Sequence, residues 1–342
     1  MGTSYALSLC AKGSAMPSTA QKRKYYREQL VEVKRSSEIL RTLDAGGKLD
    51  GLPFMPEMLA YCGAQIRVHR RADRTCVPGK GFSQMNSTVF LHESRCDGSY
   101  HKGCERACLL FWKEEWLMPA TGARKVDADA AAQDAAATRT LVQLTTIRGD
   151  RFVCQATELA SATRGVFSRW DIRPFLLEIF QGELTIGGFI TIVKRTIMNR
   201  VFGRGANMAL VGTPGKKSRG NLELRAGEWI RVKSFKEIQA NLDAKGGNCG
   251  LAFRPTMHDA IEKRYQVAFP VRRIIIEETG KMVHLSNTVA LKGVTCQGAC
   301  VTNCPRNEYL YWRESWLRRS PEDTQRSSEV LPILGVGEPP KA

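Results

Sequence analysis

Short alternations of apolar and charged residues along the chain predict a mainly β protein. Such alternations occur in Leu30–Lys34 and again in Trp229–Lys233. A period of two places successive side chains on opposite faces of a strand. Each alternation leads into a short predicted helix, over Ser36–Leu43 or Ser234–Leu242, in which the serine can act as the N-cap. A pair of glycines follows each helix and ends it.

These two segments belong to an internal repeat that runs through most of the chain. The second copy follows the first at an offset of 199 residues, which becomes 200 after a slip of one residue. Matched positions include Val33/Val232, Glu38/Glu237, Leu43/Leu242, Phe54/Phe253, Met58/Met257, Thr88/Thr288, Cys96/Cys296, Gly98/Gly298 and Cys104/Cys304. Both copies close on similar segments, at 111–117 and 311–317, which hold four of the chain's six tryptophans. We infer that the chain arose by duplication.

The repeat sets the predicted fold class and domain organisation. Short strands, one small helix and tight turns predict an α+β, mainly β chain of two tandem small SH3-like, partly open barrels joined by a helical or irregular central segment. The spacing of Trp112 and Trp116, and of Trp312 and Trp316, predicts that each pair lies on one helical face in the core. The predicted segments are a disordered basic N-terminus over 1–27, copy one over 28–119, an alanine-rich linker over 120–139, a basic central segment over 140–225, copy two over 226–319 and a disordered tail over 320–342.

Composition and charge narrow the classes of partner. Apolar residues make up 43% and charged residues 25% of the chain, which is ordinary for a globular protein. The net charge of +17 predicts salt-sensitive binding of an anionic polymer such as nucleic acid or polysaccharide, with a partner protein as the alternative. No run approaches the roughly 18 apolar residues of a membrane span. We expect a cytoplasmic protein, in which the 11 cysteines serve metal or redox chemistry rather than structural disulfides.

The cysteines of copy one have the density of a metal site. Cys96, Cys104 and Cys108 are separated by seven and three residues, and Cys62 lies upstream. Thiolates are soft anionic donors, and four of them close a structural zinc site or hold an iron–sulfur cluster. His101 lies inside the cysteine loop and is the best substitute ligand.

Copy two offers three clustered cysteines. Cys296, Cys300 and Cys304 are separated by three residues each. A fourth ligand there must come from elsewhere in the copy, and the candidates are Cys249, His258 and His284. Of the remaining cysteines, Cys10 and Cys76 are interpreted as incidental, and Cys154 as either an additional ligand or a core residue.

Three arrangements of the thiols stay open. Each copy can hold its own metal, or a pseudo-twofold can gather the four matched cysteines into one shared site. Alternatively, the thiols are buried small hydrophobic groups without a ligand. The shared site would be formed by Cys96, Cys104, Cys296 and Cys304. The cofactor is either zinc or an iron–sulfur cluster, and the sequence does not separate the two.

Two carboxylates are candidates for acid–base chemistry. Glu114 and Glu314 lie between the paired tryptophans of the two copies. Aromatic burial can adapt a carboxyl group to act as a general acid or base. The alternative is that each carboxylate pairs with a nearby lysine or arginine.

Several motifs resemble a family of uncharacterised bacterial proteins. They are Gly-Leu-Pro-Phe-Met-Pro-Glu-Met at 51–58, Tyr-Cys-Gly at 61–63, Arg-Cys-Asp-Gly at 95–98 and Phe-Trp-Lys-Glu-Glu-Trp-Leu at 111–117. The resemblance covers nearly the whole chain, including 153–159. Similar sequences occur near genes for surface-polysaccharide and natural-product biosynthesis, which implies an accessory role in such a pathway but no activity. Ile261 stands in copy two where copy one has Cys62, and this departs from an independent four-cysteine site.

Together these features predict a metal-binding tandem module that binds a partner protein or an anionic polymer. In this hypothesis the metal stabilises barrels too small to bury an adequate core. The alternative is an iron–sulfur- or zinc-dependent biosynthetic enzyme, with a cysteine or Glu114 at an open coordination position.

Overall fold

The computed structural model describes residues 24–122, 127–165, 173–180, 182, 184–201, 220–296 and 304–320. Within these ranges the protein is mainly β, and each copy of the repeat forms one antiparallel five-stranded sheet. Most of the predicted disordered N-terminus (1–27) and tail (320–342) lies outside the described residues, at 1–23 and 321–342, as does Cys300.

The five-stranded sheet of copy one has the strand order β8 (Leu109–Lys113), β7 (Thr88–Arg95), β4 (Gln65–Arg71), β1 (Leu30–Val33), β9 (Leu117–Pro119). In chain order its elements are β1 (Leu30–Val33), α1 (Ser36–Leu40), β2 (Lys48–Leu49), β3 (Leu52–Pro53), a 3₁₀ helix (Pro56–Tyr61), β4 (Gln65–Arg71), β5 (Arg74–Val77), β6 (Gly81–Gln84), β7 (Thr88–Arg95), β8 (Leu109–Lys113), a 3₁₀ helix (Glu114–Trp116) and β9 (Leu117–Pro119).

The central segment is mostly helical. Its elements are α2 (Ala128–Val142), β10 (Ile147–Arg148), β11 (Arg151–Phe152), α3 (Leu159–Ala162), α4 (Arg173–Phe180) and α5 (Ile186–Val201). The alanine-rich segment therefore contains a helix, capped by the Asp127 carboxylate, which accepts the amide of Ala130. In the described part of the chain, no helix combines the length and apolar character that crossing a bilayer requires.

The sheet of copy two repeats the strand order of copy one, as β19 (Tyr309–Arg313), β18 (Thr288–Thr295), β15 (Arg264–Pro270), β12 (Trp229–Val232), β20 (Leu317–Arg319). Its elements are β12 (Trp229–Val232), α6 (Phe235–Gln239), β13 (Gly247–Asn248), β14 (Leu251–Ala252), a 3₁₀ helix (Pro255–Ala260), β15 (Arg264–Pro270), β16 (Arg273–Ile275), β17 (Met282–His284), β18 (Thr288–Thr295), β19 (Tyr309–Arg313), a 3₁₀ helix (Glu314–Trp316) and β20 (Leu317–Arg319).

Both sheets are bent at the same place in the repeat. The pairing of β4 with β7 shifts register between Val68 and Arg70, and that of β15 with β18 shifts between Val267 and Phe269. A bulge of this kind bends the strand and increases its twist. The equivalent bulges therefore give the two sheets the same curvature.

The four tryptophans of the repeated segments are fully buried, as predicted, but the prediction that each pair lies on one helix is wrong. Trp112 belongs to β8, where it pairs with Val89 of β7, and only Trp116 lies in the 3₁₀ helix that follows. Pairing with β7 outweighs the helical spacing, because every side chain of β8 is buried. The ring of Phe54 then meets Trp116 edge-on at 5.5 Å.

The predicted short helices exist but end earlier than expected. The helix of copy one ends at Leu40, and its N-cap is Arg35, so Ser36 is its first residue. In copy two Ser234 is the N-cap, as predicted, and its hydroxyl accepts the amide of Glu237.

The first part of the central segment packs on copy one. The Ser37 amide donates to the Asp134 carboxylate at 3.1 Å, which fixes α2 against α1. Leu141, Cys154 and Leu159 are buried in the hydrophobic core of copy one. The core of copy one therefore includes side chains from beyond residue 119.

The two copies contact each other reciprocally. The loop after β7 of copy one lies on the β16–β17 hairpin of copy two, where Arg106 donates to the carbonyl of Ile275 at 3.2 Å. The loop before β19 of copy two lies on the β5–β6 hairpin of copy one, where Arg306 donates to the carbonyl of Cys76 at 3.1 Å. These two contacts join equivalent positions of the repeat, so the interface has pseudo-twofold symmetry.

Candidate metal centre

Four cysteines from two parts of the chain line one buried cavity of about 30 Å³. They are Cys96, Cys104 and Cys108 of the cysteine loop and Cys154 of the central segment, and no three of their Sγ atoms lie within 4.8 Å of one another. Copy two closes the cavity with Ile275, Arg306 and Glu308. A site of this size has room for one or two bodies the size of a water molecule.

The cysteine loop is held in place by backbone contacts around Gly98. The amides of His101 and Gly103 both donate to the Gly98 carbonyl at 2.9 Å. Gly98 has a φ of +71°, and a Cβ there would lie 2.1 Å from the carbonyl oxygen of Cys104. Only glycine fits, because the loop folds back on itself at this residue. This fold-back brings Cys104 toward Cys96.

A tight turn after β11 presents Cys154 to the cavity. The Thr157 hydroxyl accepts the amide of Cys154 at 3.0 Å. The neighbouring Gln155 is buried and binds the backbone of Phe111 through both ends of its amide group, at 2.8 and 2.9 Å. Gln155 thus extends the edge of copy one and fixes the turn against β8.

Burial raises the pKa values of Cys96, Cys108 and Cys154. The charge of Arg106 opposes this rise at Cys108 and hydrogen bonds with Thr157 oppose it at Cys154, whereas negative charge on neighbouring groups adds to it at Cys96. For Cys96 those groups are Glu57 first, then Cys108, with Cys154 a smaller contribution. A negative charge on Cys108 or Cys154 thus raises the pKa of Cys96. A cation in the cavity would have the opposite effect and lower the pKa values of these thiols.

A buried carboxylate–imidazole pair lies beside Cys96. One ligand atom each of Glu57, Cys96 and His101 lie within 4.8 Å of one another. Nδ1 of His101 is 2.5 Å from the Glu57 carboxylate, and Nε2 is 3.0 Å from the carbonyl of Val153. Both partners are acceptors, so both ring nitrogens donate and the ring is an imidazolium.

The ionisation of His101 follows from this pairing. Burial lowers the pKa of His101, but the hydrogen bond and charge of Glu57, with the Val153 carbonyl, outweigh it and raise the pKa above its ordinary value. With both nitrogens engaged, His101 supports the cavity wall instead of offering a free lone pair.

A quartet of charged groups seals the cavity on the side of copy two. Arg106 and Arg306 both contact the carboxylates of Glu277 and Glu308. Burial raises the pKa of Glu308, but the two guanidinium groups outweigh it and lower the pKa to about 2. The quartet thus pairs two guanidinium groups with two carboxylates.

The other predicted ligands lie away from this cavity. Cys62 packs against the core of copy one, and burial raises its pKa to about 12. Cys296 packs against the core of copy two. The Sγ of Cys304 lies 3.3 Å from the Sγ of Cys76. None of these thiols is among the residues that line the cavity.

Copy two lacks several groups of the copy-one site. Thr256, Ile261 and Glu308 stand at the positions of Glu57, Cys62 and Cys108. Within the described ranges, the group around Glu57 is the only one in which three or more such ligand atoms lie this close together. Two histidines were candidates for the fourth ligand of copy two. His258 packs between Phe235 and Phe253, and His284 lies in β17.

Glu114 and Glu314 bind backbone and arginine at a distance from the thiols. Glu114 accepts from the Arg71 guanidinium at 2.6 Å and from the amides of Lys24 and Tyr25. Glu314 accepts three consecutive amides, those of 222–224. Each carboxylate thus fixes the chain that enters the first strand of its copy, and neither lines the cavity.

The sequence leaves the role of Cys154 open and does not mark Glu57 as a site residue. Cys154 is an isolated cysteine, and only the fold brings it to the others. Glu57 has a recognisable signal in hindsight, since it is replaced by threonine in the copy that also lacks His101 and Cys108. The chain matches no protein-family model, no curated protein and no solved structure.

Proposed function

We propose that the protein is a tandem binding module in which copy one holds a single metal ion through thiolates. The proposal rests on one observation, that Cys96, Cys104, Cys108 and Cys154 all line a single buried cavity. Four thiolates complete the tetrahedral coordination of a structural zinc ion. Thiols are also the donors that such soft cations prefer.

The chemistry of the residues fits a cation. Without a positive charge in the cavity, burial favours the protonated form of Cys96, Cys108 and Cys154. A divalent cation would offset that cost and bind as the protons leave. The volume of about 30 Å³ suits one ion better than a cluster of several iron atoms. Zinc is therefore the favoured cofactor, and an iron–sulfur cluster is the alternative.

The ion would mainly stabilise the folded arrangement of the chain. Its ligands come from the cysteine loop and from the turn of the central segment, and copy two covers them with Ile275 and Arg306. Binding would thus join copy one, the central turn and copy two. A closed four-thiolate site leaves no open coordination position for a substrate. The carboxylate of Glu114 forms an ion pair with Arg71. Both features favour a binding protein over an enzyme.

Each copy is proposed to be an SH3-like, partly open barrel. The first and last long strands pair side by side, as β1 with β9 and β12 with β20. A 3₁₀ turn precedes the last strand in both copies. The matched bulges supply the curvature that closing such a small sheet requires.

The proposed partner is an anionic polymer or a protein with an acidic surface. The net charge of +17 supports this class of partner. The family resemblance suggests that the partner belongs to a bacterial biosynthetic pathway, to which the module would be an accessory.

Metal analysis of the full chain, purified without oxygen or chelators, tests the site. We expect one zinc ion per chain and no visible absorption. Replacing zinc by Co²⁺ should give an intense thiolate-to-metal band, and Cys154→Ser should weaken this band while Cys62→Ser leaves it unchanged. Bound iron with a visible chromophore would favour the enzyme alternative, and a metal-free protein would overturn the proposal.

A further inference from the structure

Two cysteines meet across the interface between the copies. Cys76 lies in β5 of copy one, and Cys304 precedes β19 of copy two. Their Sγ atoms are 3.3 Å apart, although 228 residues separate them in the sequence. Neither thiol lines the cavity proposed to hold the metal.

The equivalent position of the other half carries no such pair. There the Cys104 thiol packs against Ile275, in a small buried cluster with Phe152. Ile275 and Cys76 both offer their carbonyls to an equivalent arginine, so the two half-interfaces superimpose by the repeat. A thiol pair thus exists in only one half of a pseudo-symmetric interface.

An arginine makes the two thiols unequal. Nη1 of Arg306 lies 3.9 Å from the Cys76 Sγ and also donates to the Cys76 carbonyl. The contact with Cys304 and the charge of Arg306 lower the pKa of Cys76 against the opposing effect of burial. The same contact and burial raise the pKa of Cys304. Cys76 is the more readily ionised partner, and it is half-buried where Cys304 is buried.

We propose that Cys76 and Cys304 form a redox-active dithiol that a peroxide oxidises to a disulfide between the two copies. The Cys76 thiolate attacks the O–O bond of hydrogen peroxide, which yields a sulfenic acid on Cys76 and hydroxide. The Cys304 sulfur then displaces the sulfenic oxygen from Cys76, and its proton leaves with that oxygen as water. In sum, two thiols are oxidised and one peroxide is reduced to two waters.

The structure supports this order of events. The attacking group must be a thiolate, which the arginine favours at Cys76. The resolving thiol is already in contact, so disulfide formation needs little movement of the backbone. Because 228 residues separate the partners, the bond would link copy one covalently to copy two.

Peptide mapping of the full metal-loaded chain after treatment with hydrogen peroxide tests the proposal. Trypsin should release residues 75–80 and 293–306, which hold Cys76 and Cys304. In a Cys296→Ser, Cys300→Ser background, we expect these peptides to appear as one species lighter by two hydrogens, with dithiothreitol separating them. Cys76→Ser should abolish the species, and Cys249→Ser should leave it unchanged.

Two results would overturn the proposal. One is oxidation of Cys76 to a sulfinic acid with Cys304 still reduced, and the other is a chain in which both cysteines stay reduced at peroxide levels that oxidise Cys249. Either result is independent of the metal site, because the zinc content is measured on the same sample.

Discussion

Arg106 and Arg306 occupy equivalent positions of the two copies and share one carboxylate, that of Glu277. Both guanidinium groups also contact Glu308, which stands at the position of Cys108 in copy one. The interface therefore has two equivalent arginines but a carboxylate on one side and a thiol on the other. This asymmetry shows how the duplicated site diverged: copy two contributes an ion pair where copy one contributes a candidate ligand.

Removing the Glu308 charge should destabilise the interface. Glu308→Gln leaves the buried guanidinium of Arg306 and the half-buried one of Arg106 with one carboxylate, and breaking a buried pair costs roughly 3–5 kcal/mol. Urea unfolding at pH 7 measures the loss, and Glu278→Gln is the matched control because Glu278 is exposed. An equal stability of the two variants would contradict the account of the quartet.

The same variant should change the response to acid. The pKa of Glu308 is lowered to about 2 from an ordinary 4.5, so its contribution to stability is present above pH 4.5 and is lost as the pH falls toward 2. The difference in unfolding free energy between wild type and Glu308→Gln should therefore shrink as the pH falls from 4.5 to 3. A difference that stays constant over this range would mean that Glu308 has the same pKa in the folded and the unfolded protein.

Gly98→Ala should disrupt the cysteine loop. The left-handed backbone and the overlap with the Cys104 carbonyl together predict a loss of roughly 2–5 kcal/mol and of bound metal. Gly79→Ala is the control, because Gly79 has a similar φ of +73° with open space around its Cβ position. It should cost only about 1 kcal/mol and retain the metal. Thermal unfolding and metal content of both variants decide the matter.

Glu314→Gln should loosen the segment that enters copy two. The amides of 222–224 donate to its carboxylate, and a neutral amide group accepts such bonds more weakly. Hydrogen exchange at these amides should accelerate, with the amides of β18 as the internal control. Unchanged hydrogen exchange at 222–224 would mean that Glu314 does not hold these amides, and Glu314 would again be a candidate for acid–base catalysis.

Association with an anionic polymer should weaken steeply with salt. Polyanion binding releases counterions, so the logarithm of affinity falls linearly with the logarithm of salt concentration. Fluorescence titrations with single-stranded DNA and with heparin at 50 to 300 mM NaCl measure the slope. An affinity that does not change with salt would exclude an anionic polymer as the partner and favour a partner protein.

The repeat and the β character were predictable from the sequence because they depend on local patterns. Matched apolar positions and glycines recur at a fixed offset, and the two sheets follow them residue by residue, down to the bulges near Val68 and Val267. Local pattern failed at Trp112, where pairing with β7 outweighs a helical spacing. A spacing of four is compatible with a strand followed by one tight turn, and only the tertiary partner distinguishes the two.

The candidate site was predictable only in part. Three of its thiols, Cys96, Cys104 and Cys108, lie in one loop and are visible as a cluster. Cys154 joins them from a separate segment through the contacts of Gln155, which no spacing encodes. In the same way, the contact between Cys76 and Cys304 depends on how the two copies dock.

The metal content of paired cysteine variants shows whether the cysteines that line the cavity of copy one hold a metal ion. Cys96→Ser combined with Cys104→Ser should remove the bound zinc and lower the melting temperature, because both thiols line the cavity. Cys62→Ser combined with Cys249→Ser removes two half-buried thiols outside the cavity and should retain one zinc ion and the wild-type melting temperature. A wild-type protein without stoichiometric metal, together with a Cys96/Cys104 variant that melts like it, would contradict the account.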